Sequence, residues 1–217
     1  MNLVSRFLEI AVSASLCVPR WFLGVGLVFA FFLCGCGGLS TVAPPDVNAD
    51  EAAAAAIEAY DDNGDGGLSE AELNDLPALT LASADNDSNG QVSADEIAAR
   101  IRLWSDGETG LMTFYCNVTL DGRVLEGAKV TLEPEPFLGD AVKPASGVMR
   151  PDGAILKIDP ELLPEDLKMM RGVQPGLYKV RVTHPSAKIP ARFNTETTLG
   201  QEVLPGTTGG TYKITSR

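Results

Sequence analysis

The chain reads as a multidomain α + β protein: a small helical unit followed by a seven-stranded antiparallel β-sandwich with one short helix. Three observations predict this. Residues 46–106 hold 15 acidic and 2 basic side chains, an alanine-rich helical run and two copies of one acidic, glycine-bent stretch. From Leu111 onward the apolar period becomes two and turn signals multiply. Between them, Ser105–Gly110 is polar and glycine-bearing, which reads as a hinge. The boundaries follow as 50–104 for the helical unit, 105–110 for the hinge and 111–217 for the sandwich.

The acidity is local. The whole chain of 217 residues carries −12, residues 46–106 carry −13, and residues 107–217, with 13 charges of each sign, are neutral. Such a segment repels nucleic acid and attracts cations. No basic patch or nucleic-acid motif occurs elsewhere, so no nucleic-acid partner is expected.

The two acidic stretches are Asp61-Asp62-Asn63-Gly64-Asp65-Gly66-Gly67-Leu68-Ser69-Glu70-Ala71-Glu72 and, 24 positions later, Asp85-Asn86-Asp87-Ser88-Asn89-Gly90-Gln91-Val92-Ser93-Ala94-Asp95-Glu96. Each matches the EF-hand signature at every defining place. A hard dication wants six to eight oxygens at ~2.3–2.6 Å, which a loop supplies from alternating positions, with a glycine at the bend and a bidentate glutamate at the end. In loop one, residues 61–72, the ligands are expected from Asp61, Asn63, Asp65, Glu72, the carbonyl of Gly67, and Ser69 directly or through water. In loop two, residues 85–96, the same roles fall to Asp85, Asp87, Asn89, Glu96, the carbonyl of Gln91, and Ser93. The expected cofactor is therefore Ca²⁺ at two sites. Three ligand carboxylates per loop suggest an affinity on the order of 10⁻⁶–10⁻⁴ M.

The flanks fit. Asp50 can cap an alanine-driven helix over Glu51–Tyr60. Ile97, Ile101 and Trp104 recur at helical spacing after loop two. Leu73–Ala84, interrupted by Pro77, should form two short helical turns meeting at a bend. Leu68 and Val92, at the eighth place of each loop, are set to pair in a short two-stranded ladder. The spacing resembles the compact tandem EF-hand of bacterial surface proteins, and fits a dockerin less well because the first helix and both terminal glutamates are present.

Residues 21–35 form an apolar run preceded by Arg6 and Arg20. The run is short for the ~20 residues of a bilayer-spanning helix and fits the hydrophobic region of a signal peptide spanning 1–35. Leu33-Cys34-Gly35-Cys36 resembles the bacterial lipobox. That resemblance implies a diacylated Cys36 at the mature N-terminus, a membrane partner through that lipid, and a cell-envelope location facing periplasm or exterior. An uncleaved membrane anchor is the alternative. Residues 36–49, with Pro44-Pro45, read as a tether.

In the C-terminal half, Met112–Leu120 alternates and places Cys116 on a buried face. Asp121-Gly122 signals a hairpin to Ala128–Leu132, and Pro151-Asp152-Gly153 a turn between Gly147–Met149 and Ala154–Ile158. Leu177–Thr183 and stretches near 201–204 and 211–215 complete seven strands. Leu163, Leu167 and Met170 suggest a short helix over Pro160–Met170. The order of Leu120–Val130, Gly153, Pro175–Val180, Ile189–Asn194 and Thr197–Leu199 resembles the carboxypeptidase regulatory-like, transthyretin-like sandwich of bacterial surface lipoproteins. The resemblance implies a non-catalytic structural or binding module, with an envelope protein or glycan as partner.

No enzyme is expected. His184 is the sole histidine and precedes Pro185 at a strand end. No nucleophile elbow, phosphate-cradling loop or His/Cys cluster is present, and Glu133-Pro134-Glu135-Pro136 reads as an exposed strand end. Calcium is expected to be structural. The alternative is a sensor or adaptor that recruits an envelope partner, but sensor pairs expose methionine-rich grooves and residues 46–106 hold no methionine.

Overall fold

Alanine has the best helix propensity, and the Ala49–Tyr60 run forms α1. Its cap is Asn48, not Asp50: Asn48 is extended, and its Oδ1 accepts the Glu51 N–H at 3.3 Å. Asp50 lies one position inside, where its charge favours the positive helix end. The structure, a computed structural model, describes residues 42–217; the expected signal peptide, Cys36 and the first part of the tether lie outside the described residues. Among the described residues, no helix is long and apolar enough to cross a membrane.

After α1 come β1 (Gly67–Ser69), a 3-10 turn (Glu72–Asp75), α2 (Leu81–Ala84), β2 (Gln91–Ser93) and α3 (Ala94–Asp106). Pro77 separates the 3-10 turn from α2, as its missing N–H and fixed φ require. α1 and α3 pack together, with Ala52, Ala53 and Ala56 of one and Ile97, Ala98, Ile101 and Trp104 of the other all buried. Ser105 and Asp106 of the polar 105–110 stretch belong to α3, and the Gly110 N–H donates to the Val42 carbonyl at 2.6 Å.

The remaining chain is β-rich. Its strands are β3 (Phe114–Leu120), β4 (Arg123–Val124), β5 (Lys129–Pro134), β6 (Ala145–Val148), β7 (Ala154–Ile158), β8 (Gly176–Thr183), β9 (Gly200–Val203) and β10 (Gly209–Ile214). They join edge to edge in the order β10-β3-β7-β6-β5-β8-β9, with β4 on β3, so the sheet has eight strands rather than the expected seven. Nor is it wholly antiparallel, because β10 runs parallel to β3. Alternation reveals a strand but not its partner or direction.

Asp121 and Gly122 take φ of 50° and 80°, the left-handed pair of a type I′ turn. The hairpin they close pairs β3 with β4, with Leu120 opposite Arg123. The expected partner, β5, lies instead between β6 and β8. The short helix expected over 160–170 is also corrected. Two 3-10 turns, Pro160–Leu162 and Glu165–Leu167, flank Leu163 at φ −102° and ψ 149°. Pro164 forces that extended conformation on the residue before it.

Phe114, Cys116 and Val118 of β3, Val130 and Leu132 of β5, Leu156 and Ile158 of β7, and Tyr178, Val180 and Val182 of β8 fill one core. The Tyr178 hydroxyl, inside it, donates to the Gln174 carbonyl at 2.8 Å, and burial pushes that phenol up. The described residues belong to one compact unit. Arg100 of α3 meets Glu202 of β9 bidentately, with both N···O distances 2.6 Å. The Tyr60 ring meets Phe137 edge-to-face at 6.2 Å.

Candidate functional site

The site is built by two loops hung between α1, the β1–β2 ladder and α3. In that ladder Leu68 lies opposite Val92, and both are fully buried. Two hydrophobic anchors therefore hold the loops side by side while their polar residues face outward.

In loop two the backbone turns inward on its carboxylates. Asp85 accepts the N–H of Asn89 at 3.1 Å through Oδ1 and that of Gly90 at 2.9 Å through Oδ2. Asn89 Oδ1 accepts from Gln91 N–H at 2.8 Å. Glu96 Oε1 accepts from Asn86 N–H at 2.6 Å, and its Oε2 from the Ser93 N–H and hydroxyl, each at 2.9 Å. Ser93 also caps α3, completing a reciprocal capping box with Glu96. The outcome is convergence: one carboxylate oxygen each from Asp85, Asp87 and Glu96 lie within 4.8 Å of one another. Gly90 makes the bend at φ +90°, with open space where a Cβ would sit.

Loop one has the same wiring in a different arrangement. Asp61 accepts from Gly64 at 2.7 Å and Gly66 at 2.8 Å, and Asn63 Oδ1 accepts from Asp65 N–H at 2.9 Å. Glu72 Oε2 accepts from the Ser69 N–H at 2.8 Å and hydroxyl at 2.6 Å, while Oε1 takes the Asp62 and Asn63 N–H groups. Gly66 bends at φ +89°. Asp65 accepts from the Gly67 N–H at 3.1 Å through Oδ1, and its Oδ2 accepts from the side-chain Nε2 of Gln91 in loop two at 2.8 Å. Among the described residues, the carboxylates of loop two form such a converging group and those of loop one do not. Gln91 entered the sequence reading for its backbone carbonyl alone; the link through its side chain is a tertiary fact.

These hydrogen bonds set the charge. The Ser69 hydroxyl and N–H hold Glu72 below the usual carboxylate range, and the Gly90 N–H does the same for Asp85. Burial pushes Glu96 up, but the donors from Ser93, Asn86 and Asp87 outweigh it and leave the group depressed. All three are therefore ionised at neutral pH, the state in which a carboxylate binds a hard cation.

One carboxylate was misplaced by the sequence reading. Glu135, expected at an exposed strand end, is fully buried where α1 meets the sheet. Its Oε2 accepts from the Tyr60 hydroxyl at 2.7 Å and lies 3.7 Å from Lys179 Nζ, while Oε1 has no partner. Burial pushes it above the usual range, against the pull of Tyr60 and Lys179. Tyr60 precedes Asp61, so this contact ties the entry of loop one to β5 and β8. No sequence signal marks it, because Glu-Pro repeats ordinarily face water.

The other singled-out residues lie apart. Cys116 is buried, and desolvation pushes its thiol up to about 12. His184 Nδ1 accepts the Ser186 and Ala187 N–H groups at 3.1 and 2.7 Å, and Nε2 meets the Glu126 carbonyl at 2.9 Å, so the ring braces a turn. No protein-family profile, curated protein or solved structure matches the chain.

Proposed function

We propose that this protein is a calcium-binding, lipid-anchored cell-envelope protein in which an EF-hand pair is coupled to a non-catalytic, transthyretin-like structural or binding module. The observation that carries the calcium reading is the convergence of Asp85, Asp87 and Glu96 in a loop whose N–H groups keep carboxylates ionised. The sequence pattern of loop one adds the second site.

A structural role for the ion is supported by the burial of Leu68 and Val92 behind the loops and by the absence of methionine from residues 46–106. The non-catalytic reading of the sheet rests on the placements of Cys116 and His184. The lipid anchor rests on the lipobox-like Leu33–Cys36 alone, and mass spectrometry of the N-terminal peptide tests it.

Calorimetric titration tests the calcium reading: two ions per chain are expected, with dissociation constants on the order of 10⁻⁶–10⁻⁴ M. A flat trace in millimolar calcium overturns it. In a Trp21→Phe background, Trp104 is the sole tryptophan, and its buried position makes it a reporter. The structural role predicts that chelation unfolds α3 and red-shifts Trp104. A sensor would keep α3 folded without calcium and bind a hydrophobic dye only with it.

A further inference from the structure

β6 and β7 pair only at Ala145–Ile158 and Ser146–Lys157. Beyond Ser146 that pairing ends: Gly147 and Val148 stay with Val130 and Lys129 of β5, while Ile155 pairs with Tyr115 of β3. Around this switch of partners lies a groove of about 480 Å³, lined by exposed side chains of the sheet's outer face. That is within the ~300–1,000 Å³ common for small-ligand sites.

Two features set the groove apart from ordinary surface. Its apolar wall is Tyr115, Val148 and Ile155, exposed by 54%, 58% and 53%, a clustering of large side chains that water disfavours. Its charges are Arg150, Lys157 and Arg171 against the single carboxylate of Asp152. None of these four enters any of the 6 ion pairs among the described residues. By contrast, Lys168, Lys179 and Arg181 of the same half are each paired with a glutamate. Three cations outside those ion pairs thus line the same groove as one aromatic ring, on a chain whose residues 46–106 carry −13.

We infer that this groove binds an acidic saccharide. The excess of positive charge selects an anion, and arginine engages a carboxylate with two parallel hydrogen bonds. The Tyr115 ring and the neighbouring Ile155 offer a flat apolar surface to the C–H face of a pyranose. Asp152 suits a sugar, whose ring hydroxyls it can accept from, and lies unfavourably beside the dense side-chain carboxylates of an acidic peptide.

The full chain, at one fixed calcium concentration, is titrated calorimetrically with hyaluronan tetrasaccharide, uncharged chitotetraose and hexaglutamate. The uronate-bearing tetrasaccharide is expected to bind, with affinity falling as salt rises, and the other two to bind at least about tenfold more weakly, the scale of one charge-assisted hydrogen bond. The pair Arg150→Ser and Lys157→Gln, and separately Tyr115→Ala, should each weaken it about tenfold while the melting temperature holds, since all three side chains are exposed. Absence of tetrasaccharide binding, equal binding of chitotetraose or hexaglutamate, or variants that bind as the parent does would each overturn the assignment.

Discussion

The carboxylates of the two loops and Glu135 of the sheet half behave in opposite ways. In residues 61–96, Glu72, Asp85 and Glu96 each gather backbone N–H donors, joined by a serine hydroxyl at Glu72 and Glu96, and these hold the charged form. In the sheet half, Glu135 is sealed where α1 meets β5, with one oxygen unpartnered, and burial drives it toward the neutral form. The difference teaches that a carboxylate stays ready for a cation where donors outweigh burial, and is driven neutral where burial outweighs its donors. At Glu72 four donors reach the carboxylate, from the N–H groups of Asp62, Asn63 and Ser69 and the Ser69 hydroxyl.

Four substitutions test that contrast. Phe114→Ala empties the centre of the sheet core and should cost about 3–5 kcal/mol, read as a lower denaturant midpoint. Calcium uptake by the folded variant should be unchanged, and a parallel loss of uptake would show that the halves are not separable. Glu96→Gln removes the bidentate ligand from the converging group. It should weaken one calcium site on the order of a hundredfold in calorimetry, leaving the other near its parent value.

Gly90→Ala places a Cβ on a left-handed backbone with open space around it. The cost is backbone strain alone, about 1–2 kcal/mol, and thermal unfolding in chelator isolates it from any effect on the ion.

The smallest effect, Glu135→Gln, concerns pH. Because the folded pKa of Glu135 is raised, the native chain holds its proton more tightly than the unfolded chain. Its contribution therefore worsens as pH rises from the ordinary carboxylate range through the raised value. Glu72, Asp85 and Glu96 have the reverse sign: their stabilisation is present above the ordinary value and lost as pH falls through the depressed one. Tyr60, Lys179 and Asp75 are the ionisable groups that act within this cluster, and all remain in the variant. Melting temperatures followed from acid to neutral pH should show the variant gaining on the parent as pH rises. A constant offset would mean that Glu135 stays ionised, held by Lys179.

How much was readable in advance depended on the range of the interaction. The helical face of Ile97, Ile101 and Trp104 and the turn at Pro151-Asp152-Gly153 follow from residues near one another in sequence, and the pairing of Leu68 with Val92 follows from their equivalent places in the two repeated loops. The Asp121-Gly122 turn was readable as well, but its partner was not: β4 is only two residues long and carries no alternation to detect. Pro164 was visible, and outweighed the apolar spacing that had suggested a helix there. The cap at Asn48 was missed because two residues of equal capping ability stand two apart, and only packing chooses between them.

By itself, the sequence determined the local chemistry: glycine-bent loops, alternating oxygens, proline breaks and the apolar periods that separate helix from strand. These are settled by dihedral preference and by spacing of a few residues. The tertiary structure alone decided the rest: that Gln91 of loop two donates to Asp65 of loop one, that Glu135 lies buried beside Tyr60, and that β10 runs parallel to β3. The physical reason is that each joins segments distant in the chain, whose meeting is dictated by how the whole core closes.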